Sequence, residues 1–173
     1  MDSFQVIHSA RLRFVALIAV AATSMYSPTQ AQMPEARISN IVEAHIDGQG
    51  NVVVTREDGK VLVLTSDGGY GEVLVAKDNR TAAWVRTTQW ESVLFVYRGG
   101  ATKTLKGDPF IRGFWFVEGG RKIGVDSGGM HFAGVEYLYD VATLKRLDSV
   151  HQATTPTAQR PSWSSSSDKF KDE

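Results

Sequence analysis

Apolar residues between Ile41 and Val150 occur in short, often alternating runs, and this pattern constrains the fold more than any other feature of the sequence. The runs are rich in Val, Phe, Tyr and Trp, and Gly, Asp and Asn separate them every few residues. Alternation with a period of two is typical of β-strands, and hardly any helical period is present. We therefore predict an all-β antiparallel meander. The predicted strands span residues 42–46, 52–56, 61–65, 72–77, 81–87, 92–98, 102–105, 113–117, 122–126, 134–139 and 144–147.

Three stretches of the meander repeat one another, beginning at Ala44, Leu74 and Trp115. Each runs apolar strand, polar turn, apolar strand, longer polar turn and apolar strand. The middle strands read VVV, AAW and IGV, and differences in loop length account for the unequal spacing of the copies. A repeated unit of this kind indicates a repeat architecture such as a β-propeller, in which each unit is one blade.

Two of the copies resemble the blades of exported TolB-type and WD-like propellers. The matching residues are Asp78-Asn79 with Ala82-Ala83-Trp84, and the stretch YLYD that ends at Asp140 and is followed by Val141-Ala142-Thr143. The resemblance implies a partial propeller of about three blades, whereas closed propellers have at least about four. Three resolutions remain open: two chains share one ring as a homodimer, the chain is a fragment of an ancestor that no longer closes, or the repeat is accidental. In the last case the domain is a small β-sandwich or barrel.

The segments that flank the meander carry different signals. Residues 1–31 read as a signal peptide, with Arg11 and Arg13 before the apolar run 14–22 and small residues before Ala31. That run is too short to span a membrane, which takes about 20 apolar residues. We therefore expect export to the periplasm or extracellular space, with no stable membrane span after cleavage. Residues 32–40 are predicted to be a tether and residues 151–173 a disordered tail, because the tail offers little apolar surface to bury.

Composition excludes several classes of function. The 19 basic and 19 acidic residues balance, so the chain lacks the positive footprint of a nucleic-acid-binding protein. The absence of cysteine excludes thiol catalysis and cysteine-ligated zinc. No pattern indicates a cofactor, and we predict none.

Two groups of residues carry the types needed for metal binding or catalysis. Glu43, His45 and Asp47 alternate along one strand and would share a face, where two carboxylates and an imidazole could bind a metal. The alternative to a metal site is that these three side chains form the solvent-exposed face of an edge strand. Asp126, Ser127 and His131 lie in a Gly-rich turn and have the types of a nucleophile and its base, but neighbours in sequence are not how such triads are built. We predict a partner-binding loop there and no catalytic residues.

Aromatic residues suggest how the chain binds. Trp90 lies in the polar loop TTQWES, and alternation in FIRGFWF places Trp115 on the opposite face from Phe114 and Phe116. Exposed aromatic side chains outside the cell suit binding to protein or sugar. The sequence thus predicts an exported, non-catalytic module that binds a protein partner. The alternatives are a glycan-binding or carbohydrate-active domain that uses Trp90 and Trp115, beside Glu91 or Glu118, and a metal-dependent enzyme.

Overall fold

The computed structural model describes residues 39–129 and 131–166, and within them the chain is built of antiparallel strands joined by tight turns. The predicted signal peptide and most of the tether lie outside the described residues. In the part described, no helix is long and apolar enough to cross a membrane. The strands are β1 (Ile41–Ile46), β2 (Val52–Arg56), β3 (Val61–Val63), β4 (Tyr70–Val75), β5 (Thr81–Thr87), β6 (Ser92–Arg98), β7 (Ala101–Lys106), β8 (Phe110–Val117), β9 (Lys122–Gly128), β10 (Val135–Asp140) and β11 (Arg146–His151).

These strands form three separate sheets, each a meander in which neighbours in sequence are neighbours in space. Sheet 1 has the order β1-β2-β3, sheet 2 the order β4-β5-β6-β7, and sheet 3 the order β8-β9-β10-β11. The three sequence copies begin in β1, β4 and β8, so each copy supplies the first three strands of one sheet. The prediction of an all-β, partial propeller-like fold of about three blades is confirmed, and a sandwich of two facing sheets is not what the chain forms.

Sheet 2 packs against sheet 1 on one face and against sheet 3 on the other. Ala82 and Ala83 are neighbours on β5, so their side chains point to opposite faces. Ala82 belongs to a cluster with Ile41 and Val54 of sheet 1, whereas Ala83 belongs to a cluster with Phe114 and Val125 of sheet 3. Burial on both faces explains why β5 reads as a continuous apolar run rather than an alternating one.

The outward face of sheet 3, which points away from sheet 2, is covered by residues 152–166. We call these residues the C-terminal segment. It includes a 3₁₀ turn at Thr157–Gln159, and its Ser164 is fully buried. The prediction of a disordered tail is therefore wrong for residues 151–166, and residues 167–173 lie outside the described residues. The segment offers little apolar surface to bury, but it is held chiefly by hydrogen bonds.

The hydrogen bonds of the C-terminal segment converge on the buried carboxylate of Glu136. Ser164, Ser165 and Ser166 each donate a hydroxyl to it, at 2.6 Å for Ser165 and 3.0 Å for Ser166. The Nε2 of Gln152 donates to the same carboxylate at 3.2 Å. A ring shared by two copies would bring another sheet onto this outward face, and the C-terminal segment already occupies it.

Candidate functional site

Three pieces of chain meet at one end of sheets 2 and 3. They are the β5–β6 turn (residues 88–91), the start of β8 (residues 110–112) and the described part of the β9–β10 loop (residues 129 and 131–134). We call this region the loop end. It forms where it does because antiparallel pairing places the start of β8 beside the end of β9, with Phe110 opposite Gly128. Loops held on a rigid scaffold are where binding residues are commonly found.

Arg112 holds the loop end together. Its Nε and Nη2 donate to the two carboxylate oxygens of Asp126 at 3.1 and 2.6 Å, a bidentate pair that fixes the plane of the guanidinium. Its Nη1 donates to the backbone oxygen of Phe132 at 2.8 Å, and its Nη2 also donates to Oε1 of Gln152 at 2.8 Å. Arg112 is therefore fully engaged in positioning the β9–β10 loop and is not free to bind an anion.

Glycine is required where the β9–β10 loop passes Arg112. A Cβ atom on Gly134 would overlap Nη2 of Arg112 and the backbone oxygen of Ser127. A Cβ atom on Gly128 would lie 2.9 Å from the Cα of Gly134, which is closer than real side chains come. The close backbone approach lets Gln152 accept from the Gly134 N–H at 3.0 Å, which ties the loop to the C-terminal segment.

A cavity of about 500 Å³ opens between sheets 2 and 3 at the loop end. Its apolar floor is formed by Phe110 and Ile111, and its remaining lining is polar. The Thr87 and Ser92 hydroxyl oxygens lie 2.9 Å apart, and one hydroxyl donates to the other. Two hydroxyls carry two hydrogens, so the pair keeps one donor for an acceptor in the cavity. The full lining is Thr87, Thr88, Gln89, Ser92, Phe110, Ile111 and Arg112.

Two aromatic side chains stand in solvent at the loop end. Trp90 is 79% exposed and Phe132 is 77% exposed, although both belong to residue types that usually bury most of their surface. Trp90 follows the cavity residue Gln89, and its turn is fixed by the Thr88 hydroxyl, which accepts from the backbone N–H groups of Trp90 and Glu91 at 3.3 and 3.2 Å. Phe132 is held through its carbonyl by Arg112. Both rings are thus presented on ordered backbone.

The predicted residues Asp126, Ser127 and His131 all belong to the β9–β10 region, but their contacts are structural. The carboxylate of Asp126 is paired with Arg112, and Ser127 is buried with its Oγ accepting from the backbone N–H of Asp108 at 3.3 Å. His131 is exposed in the loop. Asp126 and Ser127 therefore hold the loop in place, and His131 lies on its surface.

The structure does not bring Trp115 together with Trp90. Trp115 lies on the outward face of sheet 3, where its indole covers Gly124 and its Nε1 donates to the backbone oxygen of Trp163 at 2.8 Å. It lies three residues along β8 beyond the loop end. Glu91 pairs with Lys106 at 2.9 Å, and Glu118 lies in the turn at the opposite end of β8. The stacking platform of two Trp rings beside a carboxylate is not assembled.

Glu43, His45 and Asp47 do not converge on a common point. Glu43 lies 3.5 Å from Nδ1 of His45, with both side chains largely exposed. Oδ1 of Asp47 accepts the backbone N–H groups of Asn51 and Gln49, each at 2.8 Å, which closes the β1–β2 turn. The bond from Asn51 is the main cause that lowers the pKa of Asp47. Within residues 39–129 and 131–166, no group of three or more His, Cys, Asp or Glu side chains is placed to hold a metal.

Arg112, Gln152 and the role of Gly134 were not predicted from the sequence. A single charge inside the apolar strand FIRGFWF was the available signal for Arg112. Its partner Asp126 is 14 residues away, and only the pairing of β8 with β9 brings them together. The sequence shows that Phe132 is aromatic, but it does not show that its side chain is exposed to solvent.

No family model matches the sequence, and no curated protein matches it significantly. Among solved structures, a eukaryotic initiation factor is similar with 5% identity and a TM-score of 0.50, over 67% of this chain and 33% of that chain. An acylaminoacyl peptidase from Pyrococcus horikoshii has 9% identity and a TM-score of 0.46, over 66% and 25%. The β-propeller domain of the trilobed protease from Pyrococcus furiosus, described as having an open velcro topology, has 15% identity and a TM-score of 0.43, over 69% and 44%. The chain spans less than half the length of each of these structures, and at such identities likeness concerns the fold alone.

Proposed function

We propose that this chain is an exported, non-catalytic interaction module that binds a polypeptide partner at the loop end. The observation that carries the proposal is the pair of exposed aromatic rings, Trp90 and Phe132, held on ordered backbone beside a cavity with an apolar floor. Exposed aromatic residues beside a well-formed pocket are typical of the anchor points of protein interfaces.

The chemistry of the cavity favours a polypeptide segment as the ligand. Phe110 and Ile111 provide an apolar floor for an aliphatic or aromatic side chain. The hydroxyl pair of Thr87 and Ser92 retains one donor, which suits a backbone carbonyl of the ligand. An anionic ligand is disfavoured because Arg112, the cation in the lining, is already paired with Asp126.

Binding rather than catalysis follows from how the polar groups are used. Asp126 and Ser127 are engaged in holding the β9–β10 loop, so neither side chain serves as a nucleophile or a base at the loop end. Glycan binding is less well supported, because Trp115 is covered by the C-terminal segment and cannot join Trp90.

The proposal is tested by selecting displayed random peptides on the purified protein and measuring the affinity of the selected peptides. We expect peptides with an aromatic or aliphatic anchor whose affinity falls at least about tenfold in Trp90→Ala and in Phe132→Ser. Val42→Ser is the matched control, because Val42 is also exposed, at 67%, but lies on β1. Peptides that bind all three variants as tightly as the parent protein would refute a binding site at the loop end.

Export is tested separately, by fractionating cells that produce the full chain and sequencing the N-terminus of the recovered protein. The expected result is a chain that starts at Gln32 in the periplasm or the medium. Recovery of the uncleaved chain from the cytoplasm would contradict export and would leave the peptide-binding result unaffected.

A further inference from the structure

Among the described residues, sheet 1 has one strand fewer than the other two sheets. In sheets 2 and 3 the third strand is followed by a fourth, β7 and β11, which pairs with its outer edge. In sheet 1 the third strand is β3, and within the described residues no strand pairs with its outer edge. The position that β7 and β11 occupy in their sheets is therefore open beside β3.

The open edge of β3 presents backbone groups with which no described strand pairs. Arg56 N–H donates to the carbonyl of Lys60 at 2.9 Å, and Leu64 N–H donates to the carbonyl of Val52 at 2.8 Å. Since hydrogen-bonded pairs alternate along an antiparallel ladder, the backbone groups of Val61 and Val63 point away from β2. Both side chains are 61% exposed on the face that points away from sheet 2.

The outer edges of the other two sheets carry charges that discourage pairing. β7 contains Lys103 and Lys106, and β11 contains Arg146 and Asp148. Charged side chains on an edge strand are a common way of preventing strand addition. β3 reads VLV and contains neither charge nor proline, so its edge lacks this protection.

We propose that β3 is a self-association edge, at which two copies of this chain pair antiparallel to form one continuous six-stranded sheet. The pairing is self-complementary: with Leu62 on the two-fold axis, Val61 of each copy lies opposite Val63 of the other. The unpaired N–H and C=O groups of one strand then meet those of its copy, and valines pack against valines across the junction. The second copy fits this edge because an antiparallel strand pair satisfies two-fold symmetry without further adjustment.

The geometry also predicts that association stops at two copies. The outer edge of sheet 1 occurs once in each chain, and the C-terminal segment covers the outward face of sheet 3. A three-residue strand adds only about four hydrogen bonds and a small interface. We therefore expect a weak dimer, with a dissociation constant on the order of 100 µM. This proposal does not depend on partner binding at the loop end.

The test is light scattering of the purified protein across a concentration series up to about 1 mM, together with amide hydrogen exchange at both ends of the series. We expect the mass to rise from one chain to two, and exchange of the Val61 and Val63 amides to slow as it does. A single-chain mass throughout, corresponding to a dissociation constant well above 1 mM, overturns the proposal.

Two variants separate edge pairing from other kinds of contact. Val61→Lys places a charge on the edge, and Val63→Pro removes an N–H that points away from β2. Both should remain single chains at every concentration, with a urea unfolding transition close to that of the parent in dilute solution. Val42→Lys is the control, since it adds the same charge at a similarly exposed valine on β1, at the opposite edge of sheet 1 from β3, and it should still form dimers.

Several results would overturn edge pairing even if a dimer is found. One is a dimer that persists in Val63→Pro, because the removed N–H would then have no role. Another is a doubling of mass without slower exchange at Val61 and Val63, which places the contact elsewhere on the molecule. A third is equal loss of the dimer in Val42→Lys and Val61→Lys, because the added charge would then disrupt the dimer wherever it is placed.

Discussion

The two end sheets of this molecule finish in different ways. The outward face of sheet 3 is closed by the C-terminal segment, which buries Glu136 completely and covers Trp115. No described residue covers the outward face of sheet 1 in the same way, and Val61 and Val63 remain largely exposed there. The same blade-like unit is thus sealed at one end of the stack and open at the other.

The difference shows what it takes to end an open stack of sheets. Sheet 3 carries a carboxylate in the middle of its outward face, and a buried carboxylate requires several hydrogen-bond donors. Ser164, Ser165 and Ser166 supply those donors, and Trp163 adds a bond from its Nε1 to Asp148 at 2.9 Å. A buried polar group on a sheet face therefore requires a covering segment with hydrogen-bond donors at particular positions. The exposed valines of sheet 1 impose no such requirement.

The largest expected effect comes from removing the carboxylate that the cover is built around. Glu136→Ala removes the carboxylate to which three serine hydroxyls donate and leaves the Gln152 amide with only its bond to Asp126. Hydrogen bonds to charged groups contribute about 1.5 to 3 kcal/mol each. We expect the free energy of unfolding to fall by about 3 kcal/mol or more, measured by urea denaturation. Residues 152–166 should become sensitive to limited proteolysis.

The matched control for that change is Glu43→Ala, because Glu43 occupies the outward face of the other end sheet. Its side chain is 64% exposed and 3.5 Å from His45, so its loss should change stability by less than about 0.5 kcal/mol. Equal losses in the two variants would contradict the distinction between a covered and an open end.

A second and smaller effect is expected where Trp115 lies flat on the sheet. Gly124→Ala places a Cβ atom inside the space of the Trp115 indole, which must then lift from the sheet and weaken its bond to Trp163. Overpacking of this kind costs about 1 to 3 kcal/mol, measured by thermal or urea unfolding. Gly113→Ala on the adjacent strand should be far milder, since a Cβ atom there meets no atom within 4 Å. A loss in Gly113→Ala as large as that in Gly124→Ala would show that the Trp115 contact is not the cause.

Much of the fold is predictable from the sequence because strand alternation and turn residues are local signals. Every strand overlaps a predicted one, but β11 (Arg146–His151) was expected earlier, at 144–147, because its exposed polar sequence barely alternates. The cover of sheet 3 was not predictable in this way. It depends on bonds between Glu136 and serines 28 to 30 residues away, and a run of serines has no period that distinguishes it from a flexible linker. The loop end was not predictable from local signals either, because only strand pairing brings Arg112 close to Asp126 and Gln152.

A third prediction concerns acid, to which both end sheets should respond alike. Hydrogen bonds from the Thr143 hydroxyl and backbone N–H lower the pKa of Asp140 in the β10–β11 turn, and the Asn51 N–H lowers that of Asp47 in the β1–β2 turn. A carboxyl whose pKa is lower in the folded state than its ordinary value of 3.8 stabilises the fold at pH values above 3.8. That stabilisation is lost as the pH falls through the folded-state pKa.

Urea unfolding at a series of pH values from about 2 to 6 measures this effect. Asp140→Asn and Asp47→Asn should each lower stability slightly at neutral pH and each make the decline in acid shallower by a similar, small amount. A change in the acid dependence of Asp140→Asn alone would mean that the β1–β2 turn does not use its carboxylate in the way that the structure indicates.

The smallest effect is expected on the open face of sheet 1. Val63→Thr keeps a β-branched side chain and exchanges a methyl group for a hydroxyl on a residue that is 61% exposed, so stability in dilute solution should change by no more than about 0.5 kcal/mol. Val150→Thr makes the same exchange at a residue only 5% exposed, directly opposite Glu136 on the covered face of sheet 3. There the new hydroxyl enters a closed space, and a larger loss of about 1 to 2 kcal/mol is expected. If urea unfolding gives Val63→Thr the larger loss, the outward face of sheet 1 is covered in solution, and the two ends of the stack are more alike than the described residues show.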